Sequence, residues 1–203
     1  MSVIVQPDAR KALREATHPA HVRLNKHPLL KNLTAPGYPL AHYRTVLTAY
    51  FGCYASIEAS IDDALRRWPV EFSYADRRKL PWLAEDLAWF GRDVPAGQAS
   101  PSPGLIVDQF GLYGVLYAIE GSSLGGRVIL QGLGKHLGLT PAQGARFFAG
   151  YGEDIDQRWG EIVALINDRL TEPAALDSAI RSANGTFQLI ETALDEHAAS
   201  LLA

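Results

Sequence analysis

Between residues 43 and 65 the apolar side chains fall at Tyr43, Val46, Leu47, Tyr50, Tyr54, Ile57, Ile61 and Leu65, in steps of three and four. That spacing places them on one stripe of a helix, and a stripe of this length has to be covered by other helices. Pro69 lies just beyond its end. The pattern recurs at Leu80, Leu83, Leu87 and Phe90 ahead of Gly91, where Ser73 is the expected N-cap. It returns at Phe110, Tyr113, Leu116, Tyr117 and Ile119, and again at Trp159, Ile162, Val163, Ile166 and Leu170. A last helix is expected from about Pro173 to the C-terminus. No segment alternates apolar and polar residues between hairpin turns, so the chain reads as all-α.

With 203 residues, 47% of them hydrophobic, the chain can build one substantial core. The stretch VPAGQASPSPG, residues 94–104, cannot continue a helix and reads as a loop. Amphipathic helices on both sides of it need a shared partner, so a single domain over residues 1–203 is expected. A net charge of −3 creates no field for a polyanion, which argues against nucleic acid, and the pairs Arg66-Arg67 and Arg77-Arg78 read as solvated helix faces. The one cysteine, Cys53, leaves no intrachain disulfide and no Cys-rich zinc site, as suits a reducing compartment. The start MSVIVQPDARK lacks the pattern of a secretory signal, and no run approaches the roughly 18 apolar residues of a membrane span. A cytoplasmic location with no membrane span is therefore expected.

Against this helical background, EGSSLGGRVI at residues 120–129 is anomalous. Gly121, Gly125 and Gly126 each weaken a helix by about 0.8–1 kcal/mol relative to alanine. A tight turn, a close helix crossing or a flat ligand lying on bare backbone would each account for them. No strand precedes the glycines and no Gly-Lys-Ser/Thr follows, which removes the nucleotide-binding loops. In a helix, Gly121 and Gly125 share a face, with Gly126 beside them. Near the N-terminus, ALREATHPAHVRLNKH holds His18, His21 and His27. Arg14 and His21 are two helical turns apart, about 10.5 Å of rise. That separation suits a ligand with a metal at its centre and anionic groups on its rim, as in heme. Pro19 either bends this helix or sits in the first turn of a new one capped by Thr17 or His18.

Taken together, LREATHPAHVRLN, DRRKLPWLAEDLAWFG and YAIEGSSLGGRVI resemble the heme oxygenases, and more closely their bacterial branch of iron-acquisition or bacteriophytochrome-associated type. The resemblance implies a multi-helix fold that clamps heme between a proximal N-terminal helix and a kinked, glycine-rich distal helix. The AT-x-x-x-H pattern falls on Ala16, Thr17 and His21, making His21 the implied iron ligand. Arg14 falls where a basic residue meets a heme propionate, and Gly121, Ser122, Gly125 and Gly126 fall on the distal strip. Tyr117 and Arg158 are further candidates for the propionates, although a tyrosine on an apolar helix also reads as core and Arg158 as a solvated cation. Phe187 is a candidate for the distal lining, and equally a packed core residue. His27, His42, His136 and His197 read as structural or surface residues.

The implied reaction is the O2-dependent cleavage of heme, both substrate and cofactor, to biliverdin, CO and Fe2+. Electrons would come from an external ferredoxin or flavoprotein reductase, and the biliverdin could pass to a bacteriophytochrome. Several family members carry a distal aspartate where Ser122 stands here, with Glu120 two residues earlier. A water network held by Ser122 and backbone carbonyls is the expected route for protons. Three rivals compete with this reading. Glu15-x-x-His18 together with Glu58 suggests a di-iron carboxylate site, but no second Glu-x-x-His is present. Cys53 is the one candidate nucleophile for a thiaminase-like helical enzyme. A non-catalytic heme carrier would keep the fold and the iron ligand.

Overall fold

The structure, a computed structural model, describes residues 8–94, 99–199 and 201. Residues 1–7 of the segment read for a secretory signal, residues 95–98 of the expected loop and the end of the last helix (200 and 202–203) lie outside them. Asp8 begins α1 (Ala9–Asn25), its carboxylate accepting from Lys11 N at 3.0 Å. The helix continues through Pro19 without a break, and no second helix starts there. Thr17 caps nothing, because its hydroxyl donates to Leu13 O at 2.7 Å.

Helix α2 (Leu40–Arg67) ends at Trp68, whose extended backbone leads into Pro69. Ser73 does not cap the helix that follows. Its hydroxyl accepts from Ala75 N at 3.4 Å, at the start of a single 3-10 turn, Ala75–Arg77, and α3 (Leu80–Trp89) begins later. The free N–H groups at that start are met from another helix: Glu58 of α2 accepts from Lys79 N at 2.5 Å and Leu80 N at 3.2 Å. A tertiary carboxylate thus does what the local sequence was expected to do.

Asp108 caps α4 (Gln109–Leu137) through Phe110 N and Gly111 N, both at 2.9 Å, and Gly138 ends it in a left-handed conformation. The short α5 (Arg146–Ala149), α6 (Ile155–Arg169) and α7 (Pro173–Ala199) complete the order. No β-strand occurs among the described residues. The expected kink does not interrupt α4: residues 120–126 stay helical and none of their glycines has a positive φ, which removes the tight-turn account of the stretch.

Helix α4 is the centre of the assembly, lying most extensively on α7 and then on α6, α5 and α2, while α7 also carries α1 and α2. Buried residues from all seven helices join one apolar cluster, among them Leu13, Ile57, Leu83, Leu116, Phe148 and Ile162. The α4–α7 approach is set by Gly114, where any Cβ would overlap the Ala179 carbonyl of α7. Below α3, Asp86 is buried and accepts from Arg146 N at 2.6 Å and Phe147 N at 2.9 Å, capping α5. Burial pushes its pKa up to about 6, against which the two N–H bonds act only partly.

Two outcomes follow from these contacts. Gly114→Ala forces α4 and α7 apart and should lower the free energy of unfolding by about 3 kcal/mol or more in urea titrations, the upper end of overpacking effects. The folded chain binds the Asp86 proton more tightly than the unfolded chain, so this group's contribution to stability falls as pH rises from about 4 to about 6. The stability difference between the wild type and Asp86→Asn should therefore move in the variant's favour across that window and level off above it.

Candidate functional site

Helices α1, α4 and α7 leave two adjoining cavities between them, of about 380 and 460 Å3. Each falls within the range of about 300–1,000 Å3 usual for small-molecule sites. His21, Ala118, Gly121, Ser122 and Phe187 border both, so the two join along one wall. The smaller ends at Arg10, Arg14, Tyr117 and Trp159; the larger runs past Leu24, Tyr54, Ile129, Phe147 and Phe148 and is mostly apolar.

His21 projects from α1 into this space. Asn25 Nδ2 lies 3.4 Å from both ring nitrogens, and the Phe187 ring stands edge to face with the imidazole at 6.0 Å. Partial burial, and secondarily the neighbouring His18, lower its pKa below the ordinary 6.5. At neutral pH the ring is therefore uncharged and keeps a lone pair for a metal. Because Pro19 leaves α1 continuous, Arg14 and His21 do share one face of one helix, and both reach the smaller cavity. Arg10, one turn before Arg14, lines it too. Neither guanidinium takes part in an ion pair among the described residues, although two cations at this spacing repel. An anionic ligand would relieve them.

Across the cavity, the glycines of α4 divide into different jobs. A Cβ on Gly126 would lie 2.5 Å from the Phe148 carbonyl oxygen, so this glycine serves a close helix contact as well as bordering the larger cavity. A Cβ on Gly121 would touch the edge of Trp159 at 3.4 Å. Around Gly125 nothing lies within 4 Å, yet the residue borders the larger cavity. Here helix packing does not account for the missing side chain. The Ser122 hydroxyl donates to Ile119 O at 2.8 Å, leaving its lone pairs free, and the buried Tyr54 phenol is its side-chain neighbour.

Several expected placements differ. Arg158 borders neither cavity; its guanidinium pairs with Asp76 at 2.6 Å and lies over the Tyr151 ring. Phe187, expected on the distal side, stands beside the imidazole of His21 on the α7 wall. Arg77 is no solvated cation but is buried against Glu120 and Glu161, whereas Arg66 and Arg67 are exposed as expected. Glu120 points away from the cavity toward Lys79, Arg77 and Tyr151. Cys53 is buried with its Sγ on Tyr50 O, and burial pushes the thiol up to about 12, which leaves it without nucleophilic character at neutral pH. The oxygens of Glu58 are taken up by Lys79 N, Leu80 N, Tyr74 and Arg78 rather than turned toward His18. Sequence reasoning missed Arg10, Tyr54, Lys79, Trp159 and the Phe147-Phe148 pair as parts of the cavity walls. Arg10, four residues before Arg14, was legible from helical spacing; the others had no local signal.

An imidazole, uncovered main chain and, among the described residues, guanidinium groups without an acidic partner thus border joined cavities in an all-helical protein. The heme oxygenase family matches residues 8–196. A heme oxygenase of Xanthomonas campestris pv. campestris (strain 8004) is 34% identical over 153 residues, covering 75% of this chain and 88% of that protein. Among solved structures, the NO- and CO-bound heme oxygenase of Neisseria meningitidis superposes with a TM-score of 0.73 at 21% identity, over 93% of this chain and 91% of that one. Heme oxygenase-1 of Synechocystis sp. PCC6803 in complex with heme gives 0.74 at 16% identity, over 96% and 94%. The chain belongs to the heme oxygenase family.

The division among the glycines has a measurable consequence. Gly126→Ala should destabilise the fold by about 1–3 kcal/mol through its clash with a backbone carbonyl. Gly125→Ala should instead stabilise the apoprotein by up to about 1 kcal/mol while weakening heme binding. Urea denaturation and Soret titration of both variants separate the two effects.

Proposed function

We propose that this chain cleaves heme to biliverdin, CO and Fe2+ with O2, and that it does so as one domain. The observation that supports this most directly is that His21 and the glycine strip of α4 border the same cavities, with Arg10, Arg14 and Tyr117 at one end. When bound, heme supplies the iron that activates O2 and the ring carbon that is oxidised. The neutral His21 imidazole holds the iron, and its edge contact with Phe187 and the reach of Asn25 fix the ring's orientation. Gly121 and Gly125 let the porphyrin face approach the α4 backbone. Arg14, Tyr117 and, in place of Arg158, Arg10 hold the propionates, which fixes the rotation of the ring in its plane.

Ser122 and Tyr54 anchor the water through which protons reach the distal side, since the hydroxyl of Ser122 can accept while the phenol of Tyr54 donates. Burial raises the Tyr54 pKa well above its ordinary value, so the phenol stays protonated and able to donate. Electrons come from a separate ferredoxin or flavoprotein reductase, and the biliverdin is available to a bacteriophytochrome or the iron to the cell. A reducing cytoplasm suits the single buried thiol. No described helix is long and apolar enough to cross a membrane.

Aerobic incubation of the heme complex with a reductant should convert it to a green linear tetrapyrrole, resolved as biliverdin by chromatography. His21→Ala should lose the histidine-ligated heme spectrum and turn over at least about 100-fold more slowly, a loss of about 2.7 kcal/mol of activation free energy. Heme binding without ring opening in the unaltered chain would make it a carrier. No heme binding at all would sink the proposal.

A further inference from the structure

Glu120 stands one residue before the bare stretch of α4 and faces away from the ligand. Its buried carboxylate is held from three separate places: Lys79 Nζ at 2.7 Å from the start of α3, Arg77 Nη1 at 3.3 Å from the 3-10 turn, and the Tyr151 hydroxyl at 2.9 Å from the segment after α5. Lys79 is equally buried. Its ammonium spends its three N–H groups on Glu120, on the Tyr151 hydroxyl at 2.5 Å and on the Arg77 carbonyl at 2.8 Å, while its side chain forms part of the larger cavity's wall. Arg77 continues the network to Glu161 and to the Arg158 carbonyl.

This arrangement adjoins a turn of α4 that has few side chains to seat it. Gly126 rests its backbone against the Phe148 carbonyl, but Gly125 has nothing within 4 Å, and neither Gly121 nor Gly125 offers a side chain to interlock. A buried ion pair adds little net stability compared with apolar residues of similar size, because desolvation of both charges offsets their attraction. What it does supply is direction and distance. Three donors from three elements fix one carboxylate, and through it the helical turn that carries Ser122.

We infer that Glu120 and Lys79 are positioning residues whose buried ion pair sets the height and tilt of residues 121–125 and the Ser122 hydroxyl over the heme face opposite His21. The inference rests on the function proposed above. Neither side chain meets the reacting atoms; both act through the α4 backbone.

The test uses the ferric heme complexes of the wild type, Glu120→Gln, the paired apolar variant Glu120→Leu/Lys79→Met, and Arg78→Met. The last removes ion pairs to Glu58 and Asp62 in the neighbouring cluster without touching Glu120. Melting temperature, heme affinity by Soret titration, the midpoint of the acid–alkaline transition in the visible spectrum, and turnover to biliverdin are measured for each. In both Glu120 variants the midpoint should move by at least about half a pH unit and turnover should fall about tenfold, with heme affinity within about threefold of wild type. Arg78→Met should leave the midpoint in place. If the paired variant does not fold, the isosteric Glu120→Gln carries the test alone. Glu120→Gln, or a folded paired variant, with the wild-type midpoint and turnover would overturn the inference while leaving heme cleavage intact, and so would an equal shift in Arg78→Met. Failure of the wild type to bind heme would overturn the functional reading and this inference together.

Discussion

At Gly114 the main chain of α4 approaches the Ala179 carbonyl of α7 so closely that no side chain fits between them. Gly126 approaches the Phe148 carbonyl in the same way, and Gly132 meets Thr34, where a Cβ would lie 2.7 Å from the threonine's own Cβ. These three contacts pin α4 against three other segments of the chain. They help a long helix carrying several glycines to stay unbroken, because the helical propensity lost at these three is offset by close packing. The cavities exist because the same helix, so held, turns an uncommitted strip at Gly125 toward α1.

Two kinds of chemistry meet across that helix. In front of it, α1 presents a neutral imidazole and two guanidinium groups without acidic partners among the described residues, a surface suited to a ligand that brings its own negative charge. Behind it lies a buried network in which Lys79, Arg77, Glu120 and Tyr151 satisfy one another completely. Lys79 belongs to both, since its ammonium is closed by this network while its side chain forms part of the larger cavity's wall. Closing that network matters, since an unsatisfied polar group in the core would cost far more than one at a wet surface.

Much of the site was already written in local spacing. The one-face relation of Arg14 and His21 follows from 3.6 residues per turn and survives Pro19, because α1 does not break there. The helical stripes and the glycine strip were similarly legible, since each depends on residues a few positions apart. The placements of Arg158, the start of α3 and Arg77 were not legible for a common reason: the deciding partner of each lies far away in the chain. Arg158 is claimed by Asp76, the start of α3 is capped by Glu58, and Arg77 is drawn inward by Glu120 and Glu161.

By itself, then, the amino-acid sequence determined that the chain is helical, which helix carries the imidazole and which carries the bare backbone, because periodicity and glycine content act over one or two turns. Only the tertiary structure decided which glycine serves packing and which borders the cavity, which arginine is claimed by a carboxylate, and which groups hold Glu120. Those outcomes depend on the distance between backbones far apart in sequence and on competition for a charged partner, and neither quantity exists until the helices have been brought together.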